Sequence, residues 1–311
     1  MEILKTDNIV KRYAGHTALD NVSISVSEQS VFGLLGPNGA GKTSLIRIIN
    51  QITAPDEGKV YFRGVKLSPE HVAEIGYLPE ERGLYKKMKV GEQALYLARL
   101  KGMSKKEALK KLREWFERME MTAWWNKKVE ELSKGMAQKV QFVTTVIHQP
   151  KLLILDEPFS GFDPINAELI KKEILRLRNE GATVIFSTHN MSTVEDMCDY
   201  IALINNSKKI LDGNVRDIKK QFRSYLYEVE FHGNMIAFAN ALWAGFELID
   251  KEIIENNHFK CRIKLLNNNT LNNLLQSLIP HVEIISVREI TPSMSDIFIQ
   301  TVQQQNTVSN E

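Results

Sequence analysis

The stretch LLGPNGAGKTSL, residues 34–45, decides how the rest of the chain is read. Gly36 to Thr43 fits the spacing G-x-x-x-x-G-K-T. Gly36, Gly39 and Gly41 let backbone N–H groups turn inward around phosphate oxygens. Pro37, Asn38, Ala40 and Ser44 complete the cradle. Lys42 is placed to reach the β- and γ-phosphates of a nucleotide, and Thr43 to put its hydroxyl on Mg²⁺. Before the turn, VFGLL (31–35) is a continuous apolar run that reads as a buried strand. After it, Leu45, Ile48, Ile49 and Ile52 recur at helical spacing. A helix starting near Thr43 points its positive end at the phosphates. A glycine-rich turn can be purely structural, but the order strand, turn, helix selects phosphate binding.

The same alternation of buried strands and helices continues outward. KLLILDEP predicts a buried strand over Leu152–Leu155 that ends in acids, and TVIFSTH a second one ending at His189. Between them, AELIKKEILRLRNEG predicts an amphipathic helix closed by Gly181. Such an order predicts an α/β fold with a largely parallel sheet and helices on both faces. The first thirty residues alternate in short runs, as at Val22, Ile24 and Val26, which predicts an antiparallel β subdomain. Residues from about 86 to 148 are helical in character. Ser104 is a candidate N-cap, and Ala108, Leu112, Trp115 and Met119 share one face. The Lys- and Arg-rich run there fits a solvated helix face better than a membrane or partner surface.

After Phe222 the composition shifts and asparagine becomes frequent. The patterns YLYEVEFH, MIAFANALW, ELIDKEIIE, FKCRIKLL, TLNNLLQSLI and VEIISVREI predict β-α-β-β-α-β, a small ferredoxin-like domain. A terminal helix over MSDIFIQTV follows. The expected division is therefore 1–222 for the nucleotide-binding domain, 223–302 for an α+β accessory domain, and a disordered tail over 303–311.

An acid at the end of strand LLIL stands beside the phosphates at the open edge of the sheet. Asp156 suits the Mg²⁺ shell. Glu157 suits a general base orienting the attacking water. His189 could bond a γ-phosphate, although a lone histidine is more often structural. These residues predict nucleoside-triphosphate hydrolysis without choosing the machine. A GTPase would carry N-K-x-D, and NKKV at 126–129 lacks the aspartate. No phosphoacceptor pocket for a small-molecule kinase is evident.

The totals exclude other classes. A net charge of +2 over 311 residues does not support a nucleic-acid binder. Cys198 and Cys261 show no metal or redox spacing and read as free thiols of a reducing compartment. The N-terminus has no apolar core of a signal peptide, and no apolar run approaches the roughly 20 residues that span a bilayer.

ELSKGMAQKVQ (131–141), taken with GPNGAGKTS and LLILDEPFSGFDP, resembles the ATP-binding cassette (ABC) ATPases. Order and spacing match that family over roughly 2–220. The resemblance implies a P-loop NTPase fold with a helical signature subdomain. It implies that Tyr13 stacks on adenine, where an ordinary strand-edge tyrosine is the alternative. It implies that Ser133 and Gly135, at a helix start, hold the γ-phosphate of an ATP on the opposite subunit. Asp163 would lie in the loop crossing between two sites, and His189 would be the switch histidine. The expected cofactors are ATP and Mg²⁺, and the expected partners are a second copy and a transmembrane permease. The expected place is the cytoplasmic face of the cell membrane.

Three departures stand out. Lys134 and Met136 replace a glycine and a glutamine of L-S-G-G-Q. Glu80, in IGYLPEERGLY, stands where glutamine is usual, and a carboxylate there can ligate Mg²⁺. Phe162 replaces a leucine. With the appended C-terminal domain, the LPEERGLY and LSKGM variants resemble the ATPase subunits of sodium-extrusion-type and related bacterial ABC exporters. The resemblance implies an exporter subunit whose permease docks near Arg82 to Met88 and on the helical region. The alternative is a soluble ABC protein acting on ribosomes or DNA. Such proteins carry tandem cassettes or long coiled-coil insertions, and this chain has one cassette and no sustained heptads. A module that binds ATP without hydrolysing it fits poorly with Lys42, Asp156, Glu157 and His189 all present.

Overall fold

Five consecutive apolar or glycine residues, Val31–Leu35, are all buried, as a strand covered on both faces must be. In the computed structural model, which describes residues 1–81 and 83–308, this strand lies inside a mostly parallel sheet. Its neighbours are Tyr200–Asn205 and Thr183–Thr188, both parallel to it. Leu152–Asp156 and Ile75–Leu78 continue the sheet beyond Thr183–Thr188. Lys208–Asn214 closes the other edge as an antiparallel strand. The carboxyl ends of Val31–Leu35, Thr183–Thr188 and Leu152–Asp156 therefore emerge side by side. That register brings the glycine turn, Asp156–Glu157 and His189 to one rim.

A second, antiparallel sheet is built on the long strand Glu2–Tyr13, which pairs with His16–Val22, Ser25–Ser27 and Glu57–Phe62. It confirms the expected N-terminal β subdomain. Helix Lys42–Ile49 lies between the two sheets, and Leu19, Phe32, Leu34, Ile46 and Phe62 share one core there. The helix stops before Ile52. Gln51 takes a left-handed φ of 55°, and Ile52 N–H donates to Arg47 O at 2.9 Å, a capping turn that leaves Ile52 exposed.

The helical region comprises Val90–Leu100, Lys105–Arg118 and Lys134–Val146. Ser104 caps the second by accepting from Glu107 N–H at 3.2 Å. In the third helix every residue from Ala137 to Val146 is buried, so it is a central strut rather than a one-faced surface helix. Phe116, Phe142, Leu155, Ile174 and Phe186 form the core on this side of the sheet. Arg82, the first residue of the expected docking segment, lies outside the described residues.

The chain divides into Met1–Val215 with the stretch from Gln300, and Arg216–Ile299. The boundary precedes the one read from composition because the ladder of the large sheet ends at Tyr200↔Asn214. In the second unit the strand order is Phe246–Glu255, His258–Leu265, Leu226–Gly233, Val282–Ile290, all antiparallel. Helices Met235–Ala241 and Leu271–Leu278 complete the ferredoxin-like βαββαβ order. Its core includes Val229, Ile263 and Leu274, with Phe231 and Phe238 stacked at 4.1 Å.

The expected disordered tail is not observed at its start. Helix Met294–Val308 carries on past residue 303 as far as Val308. Asp296 accepts from Ser293 N–H and Ser293 accepts from Asp296 N–H, which closes the first turn. TVQQQNTV then contains no proline or glycine to stop the helix. Residues 309–311 lie outside the described residues.

Candidate functional site: a nucleotide pocket at the sheet rim

The turn after Val31–Leu35 is built on backbone that only glycine accepts easily. Gly36 has φ 146°, and a Cβ there would meet Ile204 O at 2.1 Å. Gly41 has φ 113°, and a Cβ would meet Ala18 O at 2.2 Å. The turn is thus pressed against two neighbouring strands. Lys42 folds back across it, and its Nζ donates to Gly36 O (2.8 Å) and Pro37 O (3.0 Å). Burial pulls the Lys42 pKa below its ordinary value, opposed by the charges of Glu157, Asp156 and Glu80.

A cavity of about 420 Å³ opens beside this turn. Asn38, Gly39, Gly41, Lys42, Thr43 and Ser44 form one wall. Glu80, Asp156, Glu157 and His189 also line the cavity, as does Tyr13, which is 41% exposed. Gly36, Pro37 and Ala40 shape the turn without lining the cavity.

Asp156 is buried, 3% exposed, and is held from two sides. Ser187 Oγ donates to its Oδ1, while Thr43 Oγ1 lies 3.4 Å from its Oδ2. Glu157 follows in a left-handed conformation, φ 48°, which is costly for a non-glycine residue and is retained at sites where it aims a side chain. Its N–H donates to Ser187 Oγ at 3.2 Å and its carboxylate faces His189 Nδ1 at 2.9 Å. Thr43, Asp156 and Glu80 offer one hydroxyl and two carboxylates, an all-oxygen donor set suited to a hard cation such as Mg²⁺.

The remaining expected residues lie away from this cavity. Ser133 caps helix Lys134–Val146 by accepting from Met136 N–H at 3.3 Å. Asp163 caps helix Pro164–Asn179 by accepting from Asn166 N–H at 3.0 Å, and that N–H holds its carboxyl below the usual carboxylate range. Gly135 faces the second loop, since a Cβ on it would stand 3.6 Å from Phe162. The signature loop and the SGFDP loop are therefore neighbours on one surface, with both capping oxygens exposed. Sequence reasoning missed His16, Ala18 and Ser160, which line the cavity, and Ser187, which holds Asp156. His16 pairs across the hairpin with Tyr13, and a turn signal at Ala14-Gly15 was available to find it.

The sequence matches the ABC transporter family over residues 19–160, and residues 213–302 match the C-terminal domain of DrrA1-3-like ATP-binding proteins. It is 47% identical over 220 residues to the uncharacterized ABC transporter ATP-binding protein YhaQ of Bacillus subtilis, covering 71% of this chain and 74% of that one. The chain belongs to the ABC transporter ATP-binding family. A second relative in that organism, the linearmycin resistance ATP-binding protein LnrL, is 33% identical over 219 residues, 70% of each chain. Among solved structures, an ATP-binding subunit of an ABC transporter superposes with a TM-score of 0.67 at 28% identity, covering 71% of this chain and 93% of that one. The protein is accordingly an ATP-binding, ATP-hydrolysing cassette of a transporter, and such cassettes work with transmembrane components. Among the described residues no helix is long and apolar enough to cross a membrane.

Proposed function

We propose that this cassette drives an exporter, with two copies enclosing two ATP molecules head to tail. The observation that carries the reading is the convergence of Lys42, Thr43, Asp156, Glu157 and His189 in one cavity, while Ser133 and Asp163 stand exposed at helix starts outside it. A phosphate site on one surface and exposed helix starts capped by Ser133 and Asp163 on another fit the two halves of a shared site. Tyr13 stacks on the base, and Lys42 and the turn hold the β- and γ-phosphates. Glu157 orients the attacking water and accepts its proton, with His189 fixing the carboxylate. Thr43, Asp156 and Glu80 would hold Mg²⁺, which when bound offsets charge on the phosphate oxygens. Ser133, Gly135 and Asp163 then face the second copy's nucleotide.

Export is supported by the resistance function in LnrL's name. The permease would seat in a second cavity of about 660 Å³, lined by Leu84, Leu97, Leu100, Lys101, Gln141 and His148. This groove adjoins the segment after Glu80, and Leu100 is 64% exposed at its rim. Placement at the inner membrane surface follows from that docking.

The test uses the tagged Glu157→Gln chain in detergent-solubilised native membranes with ATP and Mg²⁺. Hydrolysis is expected to fall about 10²- to 10⁴-fold, the range for removing a general base. An ATP-dependent dimer is expected to carry a polytopic membrane protein with it. Recovery of ribosomal or DNA-associated proteins alone would replace the transporter reading by its soluble rival.

A further inference from the structure

Gln141 lies in the middle of helix Lys134–Val146 and is only 6% exposed. Its amide nitrogen carries two hydrogens. Two backbone carbonyls face that nitrogen, Pro79 O at 3.5 Å and Glu81 O at 3.4 Å. These are the carbonyls on either side of Glu80. The strand that leads to Glu80 makes its last ladder pair at Leu78↔Leu155, so no sheet hydrogen bonds fix the residues beyond. A buried amide has to place its donors, and here both go to the one irregular segment that carries a candidate metal ligand.

We propose that Gln141 is a positioning residue for Glu80. It clasps the backbone on both sides of Glu80 and thereby sets where that carboxylate stands relative to Thr43 and Asp156. The inference rests on the reading of Glu80 given above and adds the residue through which its position is controlled. Both contacts are long for amide–carbonyl hydrogen bonds, so a shift of the segment toward the helix by about half an ångström would bring them to full strength. The helix is a rigid place from which to do this, because its residues from Ala137 to Val146 are buried. The same helix starts at Ser133, and Pro79 and Gln141 also line the groove beside it. The clasp thus ties the candidate metal site to the signature helix and to the groove floor.

The measurement is binding of a fluorescent, slowly hydrolysed ATP analogue to the full chain, in excess Mg²⁺ and in excess EDTA. The ratio of the two affinities reports the metal's share. Glu80→Ala is expected to collapse this ratio. Gln141→Met, which keeps the volume and removes the donors, is expected to lower it about twofold to tenfold, with EDTA affinity and melting temperature unchanged. Gln141→Leu should give the same drop and serves if the methionine variant melts early. In a Glu80→Ala background, adding Gln141→Met should change nothing further, since both act through one carboxylate. An unchanged ratio in the Gln141 variants, an equal loss with and without Mg²⁺, or additivity in the double variant would overturn the proposal alone. An unchanged ratio in Glu80→Ala would overturn the metal role of Glu80 and the proposal with it.

Discussion

The nucleotide pocket and the outer face of the C-terminal sheet are both rich in charge, and they handle it in opposite ways. In the pocket, Lys42 and Asp156 are buried, 7% and 3% exposed, and lean on carbonyls and hydroxyls rather than on each other. Their surroundings include glycines at φ 113° and 146° and a strained Glu157. On the C-terminal sheet, charges stand opposite one another across the strands. Glu228 is flanked in register by Arg262 and Arg288, and Arg288 Nη2 lies 3.0 Å from its carboxylate. Glu230 takes His258 at 2.9 Å and Ser286 at 3.3 Å, and the histidine holds its carboxyl below the usual range. Charges that satisfy each other leave little to offer a ligand. Buried charges held by dipoles in a strained frame keep their fields aimed into a cavity.

If strain in the pocket carries function, the largest effect should come from adding one methyl group. Gly41→Ala puts a Cβ 2.2 Å from Ala18 O, a backbone atom that cannot step aside. We expect a cost of about 3 kcal/mol or more and loss of nucleotide binding. Gly39→Ala is the control. Its φ of 81° is also left-handed, but nothing lies within 4 Å of the new Cβ, so about 1 kcal/mol is expected. Hydrogen exchange on the full chain checks both. For Gly41→Ala, protection should fall in residues 1–215 and persist in the Val229–Phe231 strand core. Equal effects of the two substitutions would show that the turn is looser than its contacts suggest.

The contrast also explains what the sequence could reveal. The glycine turn was legible because a backbone requirement writes a residue type at a fixed spacing, and Gly36, Gly41 and Lys42 leave few substitutes. The ferredoxin-like order was legible because the two central strands, Leu226–Gly233 and His258–Leu265, alternate and each helix has its own cap, as at Asn234 and Thr270. Gln141 was not legible. Its partners lie about 60 residues away, and a mid-helix glutamine carries no local mark of burial. Ser187 was hidden for the same reason, since its role toward Asp156 exists only once two strands pair. The terminal helix is legible over MSDIFIQTV, but its extension to Val308 is not, because a polar run reads as disorder although glutamine tolerates helix well.

A middle-sized effect separates the groove from the pocket and from the C-terminal sheet. Burial pushes the His148 imidazole down to about 4, and the Lys101 ammonium adds to it. The folded state therefore holds this ring neutral where the unfolded chain, near 6.5, would protonate it. The unfolded state binds more protons between those values, so stability is full above about pH 6.5 and falls as pH drops toward 4. Urea unfolding at pH 7 and pH 5 should show this loss, and His148→Gln should flatten it. An unchanged pH slope in His148→Gln would assign acid sensitivity to other groups.

The smallest effect should come from the paired face, and its smallness is the point. Glu228→Gln removes a carboxylate served by two arginines, yet both arginines are more than half exposed, 53% for Arg262 and 74% for Arg288. Glu228 itself is 13% exposed, but ion pairs whose cations stay in water contribute about 0–1 kcal/mol, because water and salt compete for the arginines. Arg262 also keeps Asp250 at 3.9 Å, so part of its pairing survives the substitution. Chemical denaturation should shift by less than about 1 kcal/mol, and 0.5 M salt should erase the shift, since the screening length then falls below about 5 Å. ATP hydrolysis should not change. A loss of several kcal/mol, or a change in hydrolysis, would mean that this sheet stores energy or transmits it as the pocket does, and that the two faces are not opposites.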